Sequence, residues 1–184
     1  MIRIIAILAA LACALPAFAQ TLPAGLDPQN TILLDTANGR VVIKLRPDIA
    51  PKHAERLKTL SREKFYDNVV FHRVIAGFMA QTGDPTGTGT GKSKYPNLPA
   101  EFSNVPFKRG IVGMARSSAP DSANSQFFIM FGEAAGLNGQ YTVVGEVVSG
   151  MDVVDKVKKG DSAQNGSVTN PDRIVRMQVA ADAR

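Results

Sequence analysis

The chain has 184 residues, a length that suits one domain with a single sizeable hydrophobic core. Its formal net charge of +5 is spread along the sequence without a dense basic cluster, which excludes the charge pattern of a nucleic-acid-binding surface. With one cysteine and two histidines, the chain lacks the ligands for a thiolate or other transition-metal site, and we expect no metal and no cofactor.

The first 19 residues have the composition of a secretory signal peptide. Arg3 gives a short basic start, residues 4–15 form an apolar run, and small residues precede a cut after Ala19. The run is too short for a membrane span, and no later apolar stretch approaches the required length of about 18 residues. Cys13 is predicted to be removed on export; lipidation of it is an alternative, although the preceding residues match a lipoprotein signal poorly. The sequence therefore predicts an exported protein without a membrane span.

A hairpin is predicted at the start of the folded domain. Residues 20–30 contain proline and glycine with few apolar anchors and predict a flexible lead-in. Two runs rich in β-branched residues, 31–35 and 41–45, then flank Asn38-Gly39. Asn-Gly between two such runs is the strongest short-range signal for a hairpin.

A helix is predicted from Pro51 to about Arg62, because proline suits the first helical turn and an apolar stripe follows at helical spacing. The stripe consists of Ala54, Leu57 and Leu60. His53 stands among charged residues at the start of this helix, and we expect it to be solvated.

The rest of the chain predicts short strands, one further helix and one long loop. The predicted strands are 71–74, 78–81, 111–115, 127–130, 141–148 and 174–179. Residues 82–106 predict the loop, and residues 151–158 predict a short helix that ends near Gly160. Many short strands with two helices predict a closed barrel, because closure removes exposed strand edges. The domain is predicted to span residues 31–180, with a short tail of residues 181–184.

Two apparent motifs are weak. The run from Gly87 to Ser93 has three residues instead of four between its outer glycines, and it lacks the strand and helix that flank a phosphate-binding loop. It is more simply a flexible Gly/Thr loop. A serine hydrolase is also poorly supported, because the chain has no Gly-x-Ser-x-Gly motif and no spare histidine to act as base.

Two apolar segments carry polar side chains that a hydrophobic core does not require. Arg73 and Gln81 lie among Phe and Met in residues 71–81, and Gln126 precedes two phenylalanines. A permanently charged guanidinium in such surroundings is costly unless it is well paired or functional. These segments therefore predict the functional site. By the pattern alone His72 is a hydrogen-bonded core histidine, and the residues expected in the core are Phe71, Phe127 and Ile129.

Residues 71–81, followed by Gly83-Asp84, resemble the signature of the cyclophilin-type peptidyl-prolyl cis-trans isomerases. The resemblance covers residues 31–179 and continues through segments 110–115, 125–129, 137–139 and 143–147. It implies a mainly β fold, a closed eight-stranded antiparallel β-barrel capped by two α-helices. It also implies an isomerase of Xaa-Pro bonds in unfolded or flexible polypeptides. Nothing in the sequence suggests more than a monomer. Together with the leader, the resemblance implies a bacterial protein that assists the folding of exported proteins in the periplasm of a Gram-negative cell, or alternatively after secretion.

The resemblance assigns roles to individual residues. It implies that the catalytic residues are Arg73, His72 and Gln81. It implies that the substrate-binding residues are Phe78, Met79, Ala115, Arg116, Gln126, Phe128, Leu137 and Tyr141. An alternative from another class is a module that binds proline peptides without turnover, and the intact polar and apolar set favours the enzyme.

Three positions depart from the family pattern. Gly136 stands where many eukaryotic members have tryptophan, and this should weaken the binding of cyclosporin-like ligands. Arg116 stands where the family often has asparagine, but its implied contact is through the backbone. Tyr141 replaces a histidine and can still close the pocket. The family's glycine contact in the Gly/Thr loop is not assigned, because that loop is shorter here.

Overall fold

A computed structural model describes residues 22–183 and shows one sheet of eight antiparallel strands accompanied by two α-helices. The strands are β1 (Thr31–Thr36), β2 (Gly39–Leu45), β3 (Arg73–Ile75), β4 (Met79–Thr82), β5 (Ile111–Met114), β6 (Phe127–Met130), β7 (Val143–Ser149) and β8 (Ile174–Val179). The helices are α1 (Pro51–Arg62) and α2 (Met151–Asp155). The predicted strands and both helices are confirmed, although α2 ends before the predicted position 158. The predicted signal peptide lies outside the described residues.

The sheet is curled but does not close. Its strand order is β3-β4-β6-β5-β7-β2-β1-β8, so β3 and β8 lie at opposite edges, and in the described chain they share no ladder. Backbone hydrogen bonds do connect the segment before β3 to the beginning of β8: they form an isolated bridge between Val70 and Arg173, and the amide of Asn68 donates to the oxygen of Ile174 at 2.8 Å. The prediction of a closed barrel is therefore wrong for this structure, which is a half-barrel. The approach to β3 turns irregularly, with φ of +57° at Lys64 and +66° at Asn68, and this leaves no continuous strand to pair with β8.

Both faces of the β1–β2 hairpin are buried. Ile32 on one face belongs to the main core, whereas Leu33 on the other face packs in a smaller cluster with Val42. Leu22 and Leu26 cover this second cluster. The segment before β1, predicted to be flexible, is therefore tied to the outer face of the sheet by apolar contacts.

The main core lies between the sheet and α1. The predicted stripe of Ala54, Leu57 and Leu60 is buried there, as are the predicted core residues Phe71, Phe127 and Ile129. The hydroxyl of Tyr66, also fully buried, donates to the backbone oxygen of Ser125 at 2.9 Å. The core therefore fixes the backbone just before β6, next to the predicted site residues Gln126 and Phe128.

Helix α1 begins on a carboxylate supplied by the long loop between β4 and β5. Glu101 accepts hydrogen bonds from the backbone amides of Lys52 at 3.2 Å and His53 at 3.1 Å, and its Oε2 lies 2.7 Å from Nδ1 of His53. A carboxylate at this position satisfies free amides and complements the helix dipole. The prediction of a solvated His53 is wrong: the residue is completely buried, because it sits beside this cap and on the apolar side of the helix.

We expect the protein to lose stability in two steps as the pH falls. Burial lowers the pKa of His53 below its ordinary value of 6.5 and outweighs the opposing effect of Glu101, so the unfolded chain binds the proton more readily. The stabilisation is complete above about pH 6.5 and is lost as the pH falls toward the folded pKa. Burial likewise lowers the pKa of His72. For Glu101, burial alone would raise the pKa, but hydrogen bonds from His53 and from the amides of α1 outweigh it and lower the pKa. The carboxylate therefore adds a second loss below its ordinary pKa of 4.5.

Urea unfolding between pH 8 and pH 5 measures the first step. The variant His53→Gln should retain only the part of the slope that comes from His72. A slope identical to that of the unmodified protein would show that His53 does not titrate in this range.

Candidate active site

A cavity of about 120 Å³ opens beside β3, β4 and β6. Its lining residues are Arg73, Phe78, Met79, Gln81, Ala115, Arg116, Phe128, Leu137 and Tyr141. The structure thus brings together all the predicted site residues except His72 and Gln126.

Strand pairing explains why three distant residues meet in this cavity. Arg73 on β3 lies opposite Gln81 on β4, and Gln81 lies opposite Phe128 on β6. Directly opposed residues of antiparallel strands project to the same face, so the three form a row across the sheet. The register of the sheet places the cation, the amide and the aromatic ring side by side.

Aromatic rings form the floor of the cavity. Phe128 lies over Gly113, where any side chain would overlap the ring, and it stacks on Phe107 with centroids 5.8 Å apart. Tyr141 meets the edges of this pair, and the guanidinium of Arg116 lies 4.5 Å from the Tyr141 centroid. Phe107 was missed by the sequence reasoning, because nothing in the long loop distinguishes it from an ordinary core residue.

A chain of hydrogen bonds runs from Arg73 away from the aromatic floor. Nη1 of Arg73 donates to Oε1 of Gln81 at 3.1 Å, and Nε2 of Gln81 donates to Oε1 of Gln126 at 2.9 Å. Nε2 of Gln126 in turn donates to the backbone oxygens of Gly89 at 3.0 Å and Gly91 at 2.9 Å. Only this orientation of both amides satisfies every group, because a guanidinium can donate but not accept. Gln126 therefore lies behind the cavity and links Gln81 to the Gly/Thr loop.

The other edge of Arg73 is held by a residue that the sequence reasoning missed. The backbone oxygen of Asn165 accepts from Nε at 3.0 Å, and its Oδ1 accepts from Nη2 at 2.9 Å. The dipeptide Asn165-Gly166 is a recognisable turn signal, but nothing in the sequence relates that turn to Arg73.

Arg73 carries an uncompensated positive charge. Within residues 22–183 no carboxylate lies at ion-pair distance from its guanidinium, all of whose oxygen partners are neutral. Burial lowers the pKa of Arg73 below its ordinary value, but an arginine remains protonated in proteins. The cavity therefore presents a fixed cation next to apolar and aromatic surface.

His72 lies outside the cavity. It is buried with its ring near Gly89, and in the described chain neither ring nitrogen makes a hydrogen bond of normal geometry. The prediction that His72 is buried is confirmed, but within residues 22–183 its ring lacks the hydrogen bond that was expected. Burial lowers the pKa of His72, against an opposing effect of Asp84, and favours the neutral imidazole.

The Gly/Thr loop is built around a buried carboxylate instead of being loose. Asp84 is completely buried and accepts four hydrogen bonds, two from Thr86 and one each from the amides of Gly89 and Gly91, at 2.6–3.0 Å. The loop borders a second cavity of about 440 Å³, which shares Gln81, Ala115 and Arg116 with the first. The two cavities are therefore adjacent.

The wall near Leu137 is open. Leu137 ends a short 3-10 turn and lines the first cavity, while an added Cβ at the preceding Gly136 would meet no atom within 4 Å.

Within the described residues, no cluster of three or more His, Cys, Asp or Glu could hold a metal ion. In the same part of the chain, no helix combines the length and apolar character needed to cross a membrane.

Comparison with known proteins gives one consistent family. A family model described as cyclophilin type peptidyl-prolyl cis-trans isomerase matches residues 31–179. A Brucella suis protein named probable peptidyl-prolyl cis-trans isomerase is 58% identical over 169 residues, which cover 86% of each chain. A Helicobacter pylori protein named peptidyl-prolyl cis-trans isomerase is 40% identical over 132 residues, covering 70% of this chain and 80% of the relative.

Solved structures of similar fold include two cyclophilins. The crystal structure of a cyclophilin from Hirschia baltica aligns with a TM-score of 0.77 at 27% identity, covering 86% of this chain and 77% of that one. A Cryptosporidium parvum cyclophilin-type isomerase, crystallised in the presence of the dipeptide Ala-Pro, aligns with a TM-score of 0.75 at 28% identity. That alignment covers 81% of this chain and 98% of the neighbour.

Proposed function

This chain belongs to the cyclophilin-type peptidyl-prolyl cis-trans isomerases and is itself such an isomerase, and we propose that it turns Xaa-Pro bonds in the cavity built around Arg73. The proline ring occupies the apolar part of the cavity, and Arg73 stabilises the amide while it is twisted. The neighbour crystallised in the presence of Ala-Pro supports a proline-containing peptide as the substrate. Family membership leaves no reason to retain the alternative of a module that binds without turnover.

The chemistry explains why a single cation can be sufficient. Rotation about the bond must overcome a barrier of about 18–20 kcal/mol, set by amide resonance, but no covalent bond is broken. The reaction therefore needs no nucleophile and no proton acceptor. Twisting the amide localises a lone pair on the prolyl nitrogen, and a donor directed at that nitrogen stabilises the twisted form more than either planar form.

One observation carries the proposal: the uncompensated guanidinium of Arg73 lines the same small cavity as Phe78, Met79 and Phe128. Arginine suits this role because its charge is permanent and its donors are held in a rigid plane. The apolar walls exclude water and so strengthen the contact between the cation and the nitrogen. We assign Gln81 and the backbone at Ala115 and Arg116 to the amide on the N-terminal side of the proline. His72, buried outside the cavity, shapes the adjoining loop and takes no proton from the substrate.

The position of the site can be tested by NMR with a short Xaa-Pro peptide. Titration of ¹⁵N-labelled protein should shift the amide signals of Met79, Ala115 and Phe128, and exchange spectra should connect the cis and trans forms of the peptide. The same peptide with alanine in place of proline is the matched control and should shift these signals far less. Exchange accompanied by shifts confined to the opposite side of the sheet would place the site elsewhere.

We also propose that the protein acts on exported polypeptides in the periplasm, as a monomer. The basic start, apolar run and small residues of positions 1–19 support export. Fractionation of Gram-negative cells that express the full chain should yield a periplasmic form shortened at its N-terminus, while a chain started at Gln20 should stay in the cytoplasm. Retention of the uncut full chain in the cytoplasm would refute export.

A further inference from the structure

We infer that Asn165 is a positioning residue for the isomerisation, which orients the guanidinium of Arg73 through its side-chain oxygen. This inference rests on the proposed role of Arg73. The residue lies in the turn between α2 and β8, far from Arg73 in sequence.

The guanidinium of Arg73 is held along two of its edges. An arginine side chain has five N–H donors in one plane. Asn165 accepts two hydrogen bonds, one from Nε to its backbone oxygen at 3.0 Å and one from Nη2 to its Oδ1 at 2.9 Å. Gln81 accepts a third hydrogen bond, from Nη1, at 3.1 Å. Asn165 therefore occupies a complete edge of the guanidinium, the geometry in which a carboxylate would bind it. Nη1 also reaches the sulfur of Met79 at 4.0 Å, a weak acceptor. With both sides held, the plane is fixed, and one donor of Nη2 is left for a substrate.

The neutrality of this partner has a consequence for catalysis. A carboxylate on the same edge would orient the guanidinium equally well, but it would also cancel much of its charge. The amide and backbone oxygens of Asn165 give the same two hydrogen bonds without compensating that charge. The cation is therefore positioned and still able to stabilise the prolyl nitrogen.

The backbone conformation explains how one residue offers both oxygens. Asn165 adopts the left-handed region, with φ of +54° and ψ of +32°, which asparagine tolerates better than most residues. Its turn is pinned to β3 on both sides: Val74 donates to the oxygen of Gly166, and Gly160 donates to the oxygen of Val74, each at 2.8 Å. A Cβ at Gly160 would overlap the backbone of Gly166, so the turn packs too closely to shift. The turn therefore holds Asn165 at a defined position against Arg73.

Asn165→Gly removes the side-chain oxygen but keeps the left-handed backbone without strain. Because hydrogen bonds to charged groups are among the stronger ones, we expect kcat for a short Xaa-Pro peptide to fall about tenfold, with KM changed less than about twofold. Asn165→Asp keeps the acceptor oxygen and tolerates the same backbone conformation. Because its carboxylate also cancels part of the charge of Arg73, kcat should stay below that of the unmodified protein, and an aspartate variant with full kcat would contradict the role of a neutral partner.

Two further measurements separate positioning from a merely structural role. In the background of Arg73→Ala, adding Asn165→Gly should change kcat by less than about twofold, because the oxygen acts only through the arginine. In ¹⁵N spectra of the arginine side chains, the Nη signals of Arg73 should be resolved in the unmodified protein and averaged in the glycine variant.

The inference is overturned if Asn165→Gly keeps the full kcat, if it lowers kcat equally with and without Arg73, or if the Nη signals are unaffected. Full activity of Arg73→Ala would instead refute the proposed function. The failures of the two ideas are therefore distinguishable.

Discussion

Arg73→Ala should lower kcat/KM for a short Xaa-Pro peptide by roughly 10²- to 10³-fold while leaving the protein folded. The estimate follows from removing one preorganised donor of an oxyanion hole, a loss of about 3–4 kcal/mol in transition-state stabilisation. The loss should fall on kcat, because the apolar walls formed by Phe78, Met79 and Phe128 still hold the proline ring. NMR line-shape analysis of the peptide, which needs no coupling enzyme, measures both its cis-trans exchange rate and its affinity for the protein.

Arg73→Lys is the matched control for charge. A lysine keeps the positive charge but cannot satisfy Asn165 and Gln81 with a rigid planar fork, so we expect only a small part of the rate to return. If the lysine variant were as active as the unmodified protein, charge alone would be sufficient and orientation would be irrelevant. If the alanine variant kept more than about a third of the rate, the proposed chemistry would be wrong.

Asp84→Ala should destabilise the protein by about 2–3 kcal/mol and should also reduce activity. The buried carboxylate satisfies the amides of Gly89 and Gly91 and both donors of Thr86, and its loss leaves these groups without a partner. The activity falls because the displaced loop no longer offers its carbonyl oxygens to Gln126, and the amide chain behind Arg73 loosens. Denaturant unfolding gives the stability, and the peptide assay gives the rate.

The acid dependence of this variant provides an internal check. Burial alone would raise the pKa of Asp84, but the hydrogen bonds from Thr86, Gly91 and Gly89 outweigh it and lower the pKa below its ordinary value of 3.8. Its stabilisation is therefore complete above the unfolded pKa and is lost as the pH falls below about 3.8. Asp84→Ala should lack this loss, and Asp84→Asn, which keeps one acceptor oxygen, should be less destabilised at neutral pH. Equal stability of the alanine variant and the unmodified protein would show that the loop does not depend on the carboxylate.

The central part of the site could be predicted from the sequence because it rests on one hairpin and one neighbouring strand. Two short apolar runs around a tight turn fix the register of β3 and β4, and that register alone places Arg73 opposite Gln81. Family resemblance then added the residues of the more distant loops, such as Leu137 and Tyr141, which lie in the same cavity.

The contacts that the sequence did not predict come from segments whose paths depend on the whole fold. Asn165 and Glu101 act on partners far away in sequence, and no local pattern indicates which backbone they approach. His53 was different, since a signal was present: it precedes Leu57 by one helical repeat of four residues and so shares the buried side. The charged sequence neighbours suggested exposure, but the helical spacing was the better guide. A closed barrel was predicted because closure removes exposed strand edges. Nothing in the sequence shows that the chain turns irregularly before β3 and leaves that edge without a ladder to β8.

The empty space beside Gly136 offers a means of selective inhibition. Many eukaryotic members have a tryptophan at this position. A compound that binds by contacting the indole of that tryptophan loses the contact here and should bind this enzyme weakly. A compound that carries its own bulky ring toward the gap would bury apolar surface against the uncovered side of Leu137, worth about 25 cal/mol for each Å² removed from water. The same ring would collide with the tryptophan of those other proteins, so this one position would distinguish the enzyme from them.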